Sequence, residues 1–286
     1  MSGTVAVLGA GTMGAGIAQA CAAAGHRVLL HDISDEARQR GVAAVRSSLE
    51  RFVSRGKLEQ AEAEAVLARL QPVSDLGQLG EAETVIEAVP ENLNIKEAVW
   101  RDAAAAADPQ ALLATNTSSL SVTQIASFTG GSEERFCGLH FFNPVPMLPL
   151  VEVVRGQLTS AETIERAVAF TEGIGKTPIT CNDTPGFIVN RLLIPYMSDA
   201  IHALAEGVGS PEDIDRAMKL GANMPLGPLA LCDLVGLDVA LAAAESLHAE
   251  FQDPKFRIPP LLRRMVQAGK LGRKTGSGFY DYGKEG

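Results

Sequence analysis

Two rhythms run along the chain. Short, unbroken apolar runs of the kind that buried strands need occur at TVAVL (4–8), RVLLHD (27–32), TVIEAV (84–89) and ALLAT (111–115). FCGLHFF (136–142), LVEVV (150–154) and TPITC (177–181) continue the series. Between them lie helix-forming stretches: residues 12–24, Ala-rich and followed by Gly25 as a C-cap, residues 92–107, and a helix near 160–173. The opening strand, helix and strand make a βαβ unit, so the sheet begins parallel. Residues 35–71 break the rhythm. Val42, Val45, Leu49 and Phe52 recur at helical spacing, Gly56 interrupts, and residues 58–70 predict a second helix stopped by Pro72. This is a helical hairpin inserted into the βα pattern.

After Asp183 the strand rhythm stops. Pro185 stands where the first turn of a helix running through FIVNRLL would place it, and SPED (210–213) combines a Ser cap, Pro at the first helical position and an acid three residues after the cap. Residues 230–251 read as helical with a break near Gly236, residues 259–269 as a short helix, and no strand is predicted between 186 and 275. The expectation is a doubly wound α/β domain over residues 1–184 and an all-α domain over residues 185–286.

Composition narrows the function classes. Of 286 residues, 46% are hydrophobic and 21% charged, a globular balance, and the net charge of −9 argues against nucleic acid or an anionic membrane as main partner. A local basic patch for a phosphorylated small molecule is still allowed. Cys21, Cys137, Cys181 and Cys232 match no zinc or CxxC spacing, so no metal site is expected and the thiols are read as reduced. No stretch reaches the ~18 apolar residues of a membrane span. The N-terminus reads directly as a strand, and the expected location is cytoplasmic.

GAGTMG (Gly9, Ala10, Gly11, Thr12, Met13, Gly14) fits G-x-G-x-x-G. Alone that pattern is weak. Here it follows a strand, opens a helix, and precedes a second strand ending in Asp32, the context a dinucleotide site requires. Gly9 serves the tight turn, Gly11 lets the backbone approach a pyrophosphate at the helix N-terminus, and Gly14 permits close helix–strand packing. Asp32 suits ribose hydroxyls and repels a 2′-phosphate, which favours NAD over NADP. No second flavin signature supports FAD.

Polar residues cluster at predicted strand ends: Glu91 after TVIEAV, Asn116 and Ser118 after ALLAT, Asn143 after FCGLHFF. In such sheets ligands bind beyond the carboxyl ends of the strands. His140 sits among aromatics, where a histidine is more often structural. Glu152, however, lies inside an apolar strand, where a bare carboxylate is costly to bury, and the adjacent predicted strand carries His140. A carboxylate on one imidazole nitrogen fixes the tautomer and raises the basicity of the other, which suits removal of a hydroxyl proton as a hydride leaves the same carbon.

GAGTMGAGIAQ, EAVPENLNIK, TNTSSLS, GLHFFNPVPMLPLVEVV, DTPGFIVNR, DIDRAMKLGANMPLGPLALCDLVGLD and LGRKTGSGFYDY resemble the L-3-hydroxyacyl-CoA dehydrogenase family over nearly the whole chain, most of all its short bacterial members acting on 3-hydroxybutyryl-CoA. The resemblance implies a Rossmann-type NAD domain with an inserted hairpin and a helical C-terminal domain that binds substrate and makes a homodimer. It implies that His140 is the general base, Glu152 its orienter, Asn190 a substrate-positioning group, and Ser118 a contact to substrate and nicotinamide. It further implies NAD contacts at Glu91, Lys96, Asn143 and Lys274, and coenzyme A contacts at Ser48 and Arg55. For Arg55 and Lys57 a solvated basic helix end explains the residues equally well. Pro-Met-Leu-Pro (146–149) stands where the family commonly has Pro-Val-Met-Lys, and Ala230 where it often has Glu. Two rivals stay open at this point: a related hydroxy-acid dehydrogenase of gulonate or carnitine type, and a nucleotide-binding protein without turnover.

Overall fold

The computed structural model describes residues 3–283. Contacts within the chain divide it at Thr184 and Pro185 into two units. The first alternates β1 (Thr4–Leu8), α1 (Thr12–Ala23), β2 (Arg27–His31), α2 (Asp35–Ser54), α3 (Gln60–Ala68), β3 (Leu70–Val73) and β4 (Thr84–Glu87). It continues with α4 (Leu93–Ala106), β5 (Leu112–Thr115), α5 (Val122–Ser127), β6 (Phe136–Phe141), β7 (Leu150–Arg155), α6 (Ala161–Gly173) and β8 (Thr177–Asn182).

The strands form one sheet in the order β3-β2-β1-β4-β5-β6-β7-β8. The first six follow the doubly wound order of a Rossmann sheet. All neighbouring pairs are parallel except β6 with β7. Central strands are apolar on both faces because helices cover both, so Val5, Val7, Leu30, Ile86, Leu113 and Ala114 are fully or almost fully buried. The inserted hairpin joins this core through Val45, Leu49, Ala63 and Val66.

Two local readings need correction, and one short helix was not predicted. The second hairpin helix ends at Ala68, and Leu70–Val73 form a strand instead of its last turn. Pro72 is tolerated because β3 is the outermost strand and lacks a ladder on its far side. Helix α5 is only six residues long, too short for the spacing of Val122, Ile125 and Ala126 to stand out in the sequence; Ser121 starts it by accepting from the Gln124 amide. The helix expected from Pro185 begins only at Val189, because Gly186 and Phe187 take positive φ (76° and 49°) and break the helical path.

The second unit holds α7 (Val189–Ala205), α8 (Pro211–Gly221), α9 (Pro228–Val235), α10 (Leu237–Phe251) and α11 (Pro260–Gln267). Its core is built on Ile194, Met197, Ile201, Leu229, Leu237 and Leu247. Two buried aspartates organise it. Asp215 accepts from the Leu229 and Ala230 amides and the Tyr280 hydroxyl, and Asp233 from the Phe279 and Tyr280 amides and the Tyr282 hydroxyl. Ser210 caps α8 by accepting from the Asp213 amide. Among the described residues no helix is long and apolar enough to cross a membrane, and no group of His, Cys, Asp and Glu could hold a metal ion.

Candidate active site

Strand direction gathers the polar groups. Strand β6 runs parallel to β5, so its last residues reach the carboxyl edge of the sheet, and antiparallel β7 begins at that same edge. His140, late in β6, therefore meets Glu152, early in β7, in direct register. His140 Nδ1 lies 2.7 Å from Glu152 Oε2, and both side chains are buried. An ionised carboxylate can only accept, so Nδ1 carries the proton and donates it, which makes Nε2 the basic atom of the ring. Asn116, just past β5, accepts from the Phe141 amide at 2.9 Å and ties the strand end beside the imidazole. The Phe142 ring packs 4.5 Å from the imidazole, centroid to centroid.

The glycine turn shares this edge. Gly9 has φ 99°, and a Cβ on Gly14 would stand 1.7 Å from the Gly9 carbonyl oxygen, so both positions exclude a side chain. Around Gly11 a Cβ would meet nothing within 4 Å. Gly11 also caps α1 without any side-chain acceptor for the first-turn amides. An open approach to uncapped amides at a helix N-terminus fits a pyrophosphate. Asp32, just past β2, accepts from the Ala10 amide at 2.9 Å and the Ser34 amide at 3.2 Å, which fixes the turn and its own carboxylate beside it.

A third cluster lies between these two. Glu91 Oε1 accepts from the Thr117 hydroxyl at 2.6 Å and from the Ser118 and Ser119 amides at 2.8 and 3.0 Å. Glu91 thus shapes the exposed serine turn that carries Ser118. Burial pushes its carboxyl up, but the nearby Lys96 ammonium and these hydrogen bonds outweigh burial and hold it below the usual glutamate range. Lys96 is fully buried, 2.7 Å from Glu87 Oε1 and 3.4 Å from Glu91 Oε2. Glu87 was passed over in the sequence, where it reads as the tail of an ordinary strand.

Comparison with known proteins decides the family. The model of the 3-hydroxyacyl-CoA dehydrogenase NAD-binding domain matches residues 4–184, and that of the same family's C-terminal domain matches residues 186–282. The chain belongs to the 3-hydroxyacyl-CoA dehydrogenase family. Its cofactor is NAD. It is 46% identical to the 3-hydroxybutyryl-CoA dehydrogenase of Clostridioides difficile over 98% of this chain and 99% of that one. It is 48% identical to the 3-hydroxyadipyl-CoA dehydrogenase of Escherichia coli, over 99% of this chain and 59% of that longer one. The crystal structure of the (S)-3-hydroxybutyryl-CoA dehydrogenase of Ralstonia eutropha superposes with a TM-score of 0.94 at 48% identity, covering 99% of this chain and all of the other.

The remaining candidate residues are more dispersed along the chain. Asn143 follows β6 and precedes Pro144 through a cis peptide. The connection it opens carries the departure at residues 146–149. There Met147 and Leu148 are exposed, while Val145 is buried and packs over Gly16 of α1. Lys176 anchors that connection, donating from Nζ to the Val145 and Leu148 carbonyls at 2.6 and 2.9 Å. Ser48 and Arg55 lie two turns apart on α2 and at its C-cap, with Arg55 exposed. In the second unit Asn190 is the second residue of α7. Lys274 is engaged there by Asp238, at 2.5 and 2.6 Å.

Proposed function

We propose that this chain catalyses the reversible NAD-dependent oxidation of an (S)-3-hydroxyacyl-CoA to the 3-oxoacyl-CoA, with 3-hydroxybutyryl-CoA as its substrate. The observation that carries the reading is the buried 2.7 Å pair of His140 and Glu152 on the sheet edge that also bears the dinucleotide turn. NAD, when bound, accepts a hydride from the carbinol carbon. Gly9, Ala10, Gly11, Thr12, Met13, Gly14 and Asp32 would hold it, with Glu91, Ser118, Asn143 and Lys274 as further contacts, while Lys96, fully buried, acts through Glu91. His140 takes the hydroxyl proton at Nε2, and Glu152 stabilises the imidazolium that results. Ser118 and Asn190 donate hydrogen bonds to substrate oxygens and align the reacting carbon. Ser48 and Arg55 hold coenzyme A.

In this reading residues 1–184 bind NAD, and residues 185–286 supply Asn190 and the homodimer contact. Large apolar side chains exposed on the second unit, Leu192, Leu220 and Val239 among them, support a partner surface there. The four unpaired thiols support a cytoplasmic location.

A second reading differs only in the acyl tail. The resemblance to a 3-hydroxyadipyl-CoA dehydrogenase favours a substrate with a distal carboxylate. NADH consumption measured with acetoacetyl-CoA, longer 3-oxoacyl-CoAs and 3-oxoadipyl-CoA separates the two. Highest kcat/KM with acetoacetyl-CoA supports the first reading, and with 3-oxoadipyl-CoA the second. Inertness toward all of them sinks both.

A further inference from the structure

Glu87 has no exposed surface, yet it stands at the carboxyl end of β4, on the edge where the site is built. Every approach to its carboxylate is filled. Oε1 accepts from Lys96 Nζ at 2.7 Å and the Val89 amide at 2.8 Å; Oε2 accepts from the Thr115 hydroxyl at 2.7 Å and, more distantly, Trp100 Nε1 at 3.4 Å. Such a group is costly to bury, and a strand end can be completed without it. Its principal partner is an ammonium that also faces Glu91, at 3.4 Å. Glu91 in turn gathers the Thr117, Ser118 and Ser119 donors on one oxygen. Two carboxylates therefore share one buried cation, and the outer one shapes the serine turn.

We infer that Glu87 is a positioning residue for the reaction: it holds Lys96 back from Glu91, and so leaves the Glu91 carboxylate available to fix the turn that presents Ser118. The shorter ion pair is with Glu87, so Lys96 is seated inward, and Glu91 Oε1 is left to the turn. With Glu87 neutral, Lys96 has one carboxylate to satisfy its charge and moves toward Glu91, competing with the amides of Ser118 and Ser119. Thr115 and Trp100 hold the Glu87 carboxylate in place from β5 and α4. The inference deepens the dehydrogenase reading and rests on it for the task of Ser118.

The test is a double-mutant cycle of Glu87→Gln and Glu91→Gln, read by kcat and by amide exchange of the protein alone. Glu87→Gln should lower kcat roughly ten- to hundred-fold, the scale of a small misplacement of an aligning group. It should also speed exchange at Ser118 and Ser119 while the β6 and β7 amides keep their protection. In the Glu91→Gln background the same change should add little to either readout, because its route is gone. Equal losses in both backgrounds, or exchange raised throughout the sheet, overturn the inference. Should Glu87→Gln fail to fold, Thr115→Val, which removes one donor to Glu87, enters the cycle with the same expectations. A wild-type chain inert toward every 3-oxoacyl-CoA defeats the dehydrogenase reading instead, and the exchange measurement, which needs no substrate, still judges the network.

Discussion

At the scale of single residues, the site depends on carboxylates with assigned acceptor duties. Glu152 was legible in the sequence because a charge inside LVEVV demands a partner, and the neighbouring strand offers His140. Replacing His140 by Gln should cut kcat about 10²–10⁴-fold while NADH still binds, checked by steady-state turnover and NADH fluorescence. Near-normal turnover would sink the base assignment. Glu87 was not legible: its partners lie in the following helix and strand, at Lys96, Trp100 and Thr115, and nothing in TVIEAV announces them. Glu91 carries a pH consequence. Its carboxyl is held below the ordinary glutamate range, against burial, by Lys96 and the serine-turn donors. A depressed folded value adds stability above the unfolded value, and that stability is lost as pH falls through the folded one. The Ser118 and Ser119 amides should keep their protection at neutral and mildly acidic pH and lose it only on acidification below the ordinary glutamate range. Glu91→Gln should lack that acid step in hydrogen exchange.

Elements were legible where period and length agreed. The seven short apolar runs are all strands, since a run of that length between helical stretches has few other uses. The remaining strand, β3, escaped because LQPV is short and contains a proline that only an edge position accepts. The start of α7 escaped because positive φ at Gly186 and Phe187 depends on packing that no propensity encodes. The glycine turn offers a test at this scale. Gly14→Ala drives a Cβ into the Gly9 carbonyl and should destabilise the protein, seen as a lower thermal midpoint without ligand. Gly11→Ala places its methyl in open space at an ordinary φ of −71°, so the midpoint should fall far less than for Gly14→Ala, by about 1 kcal/mol or less of stability at this N-cap, while NAD affinity falls. Equal thermal losses in both variants would show that Gly11 is structural.

For the whole molecule, composition and thiol chemistry govern behaviour. All four cysteines are free, and burial pushes the thiols of Cys21, Cys137, Cys181 and Cys232 up to about 12. With so little thiolate, native protein at pH 8 should resist iodoacetamide while unfolded protein takes up four equivalents, measured by mass spectrometry. Rapid alkylation of native protein at Cys181, the one cysteine not fully buried, would contradict this.

The junction between β6 and β7 has one more consequence. Register between His140 and Glu152 is held by the ladder from Gly138 to Phe141 against Val151 to Val154, not by the intervening segment 142–149. Slipping the ladder by one residue would turn Glu152 to the opposite face, whereas lengthening the segment leaves the ladder untouched. Heredity can therefore rewrite the tip that carries Met147 and Leu148 without touching the proton-handling pair. For a protein engineer, it is the natural graft point: the chemistry is kept by the weave of the sheet, and novelty is admitted at the tip of a connection anchored on either side by Val145, the Lys176 ammonium and the Thr177 amide.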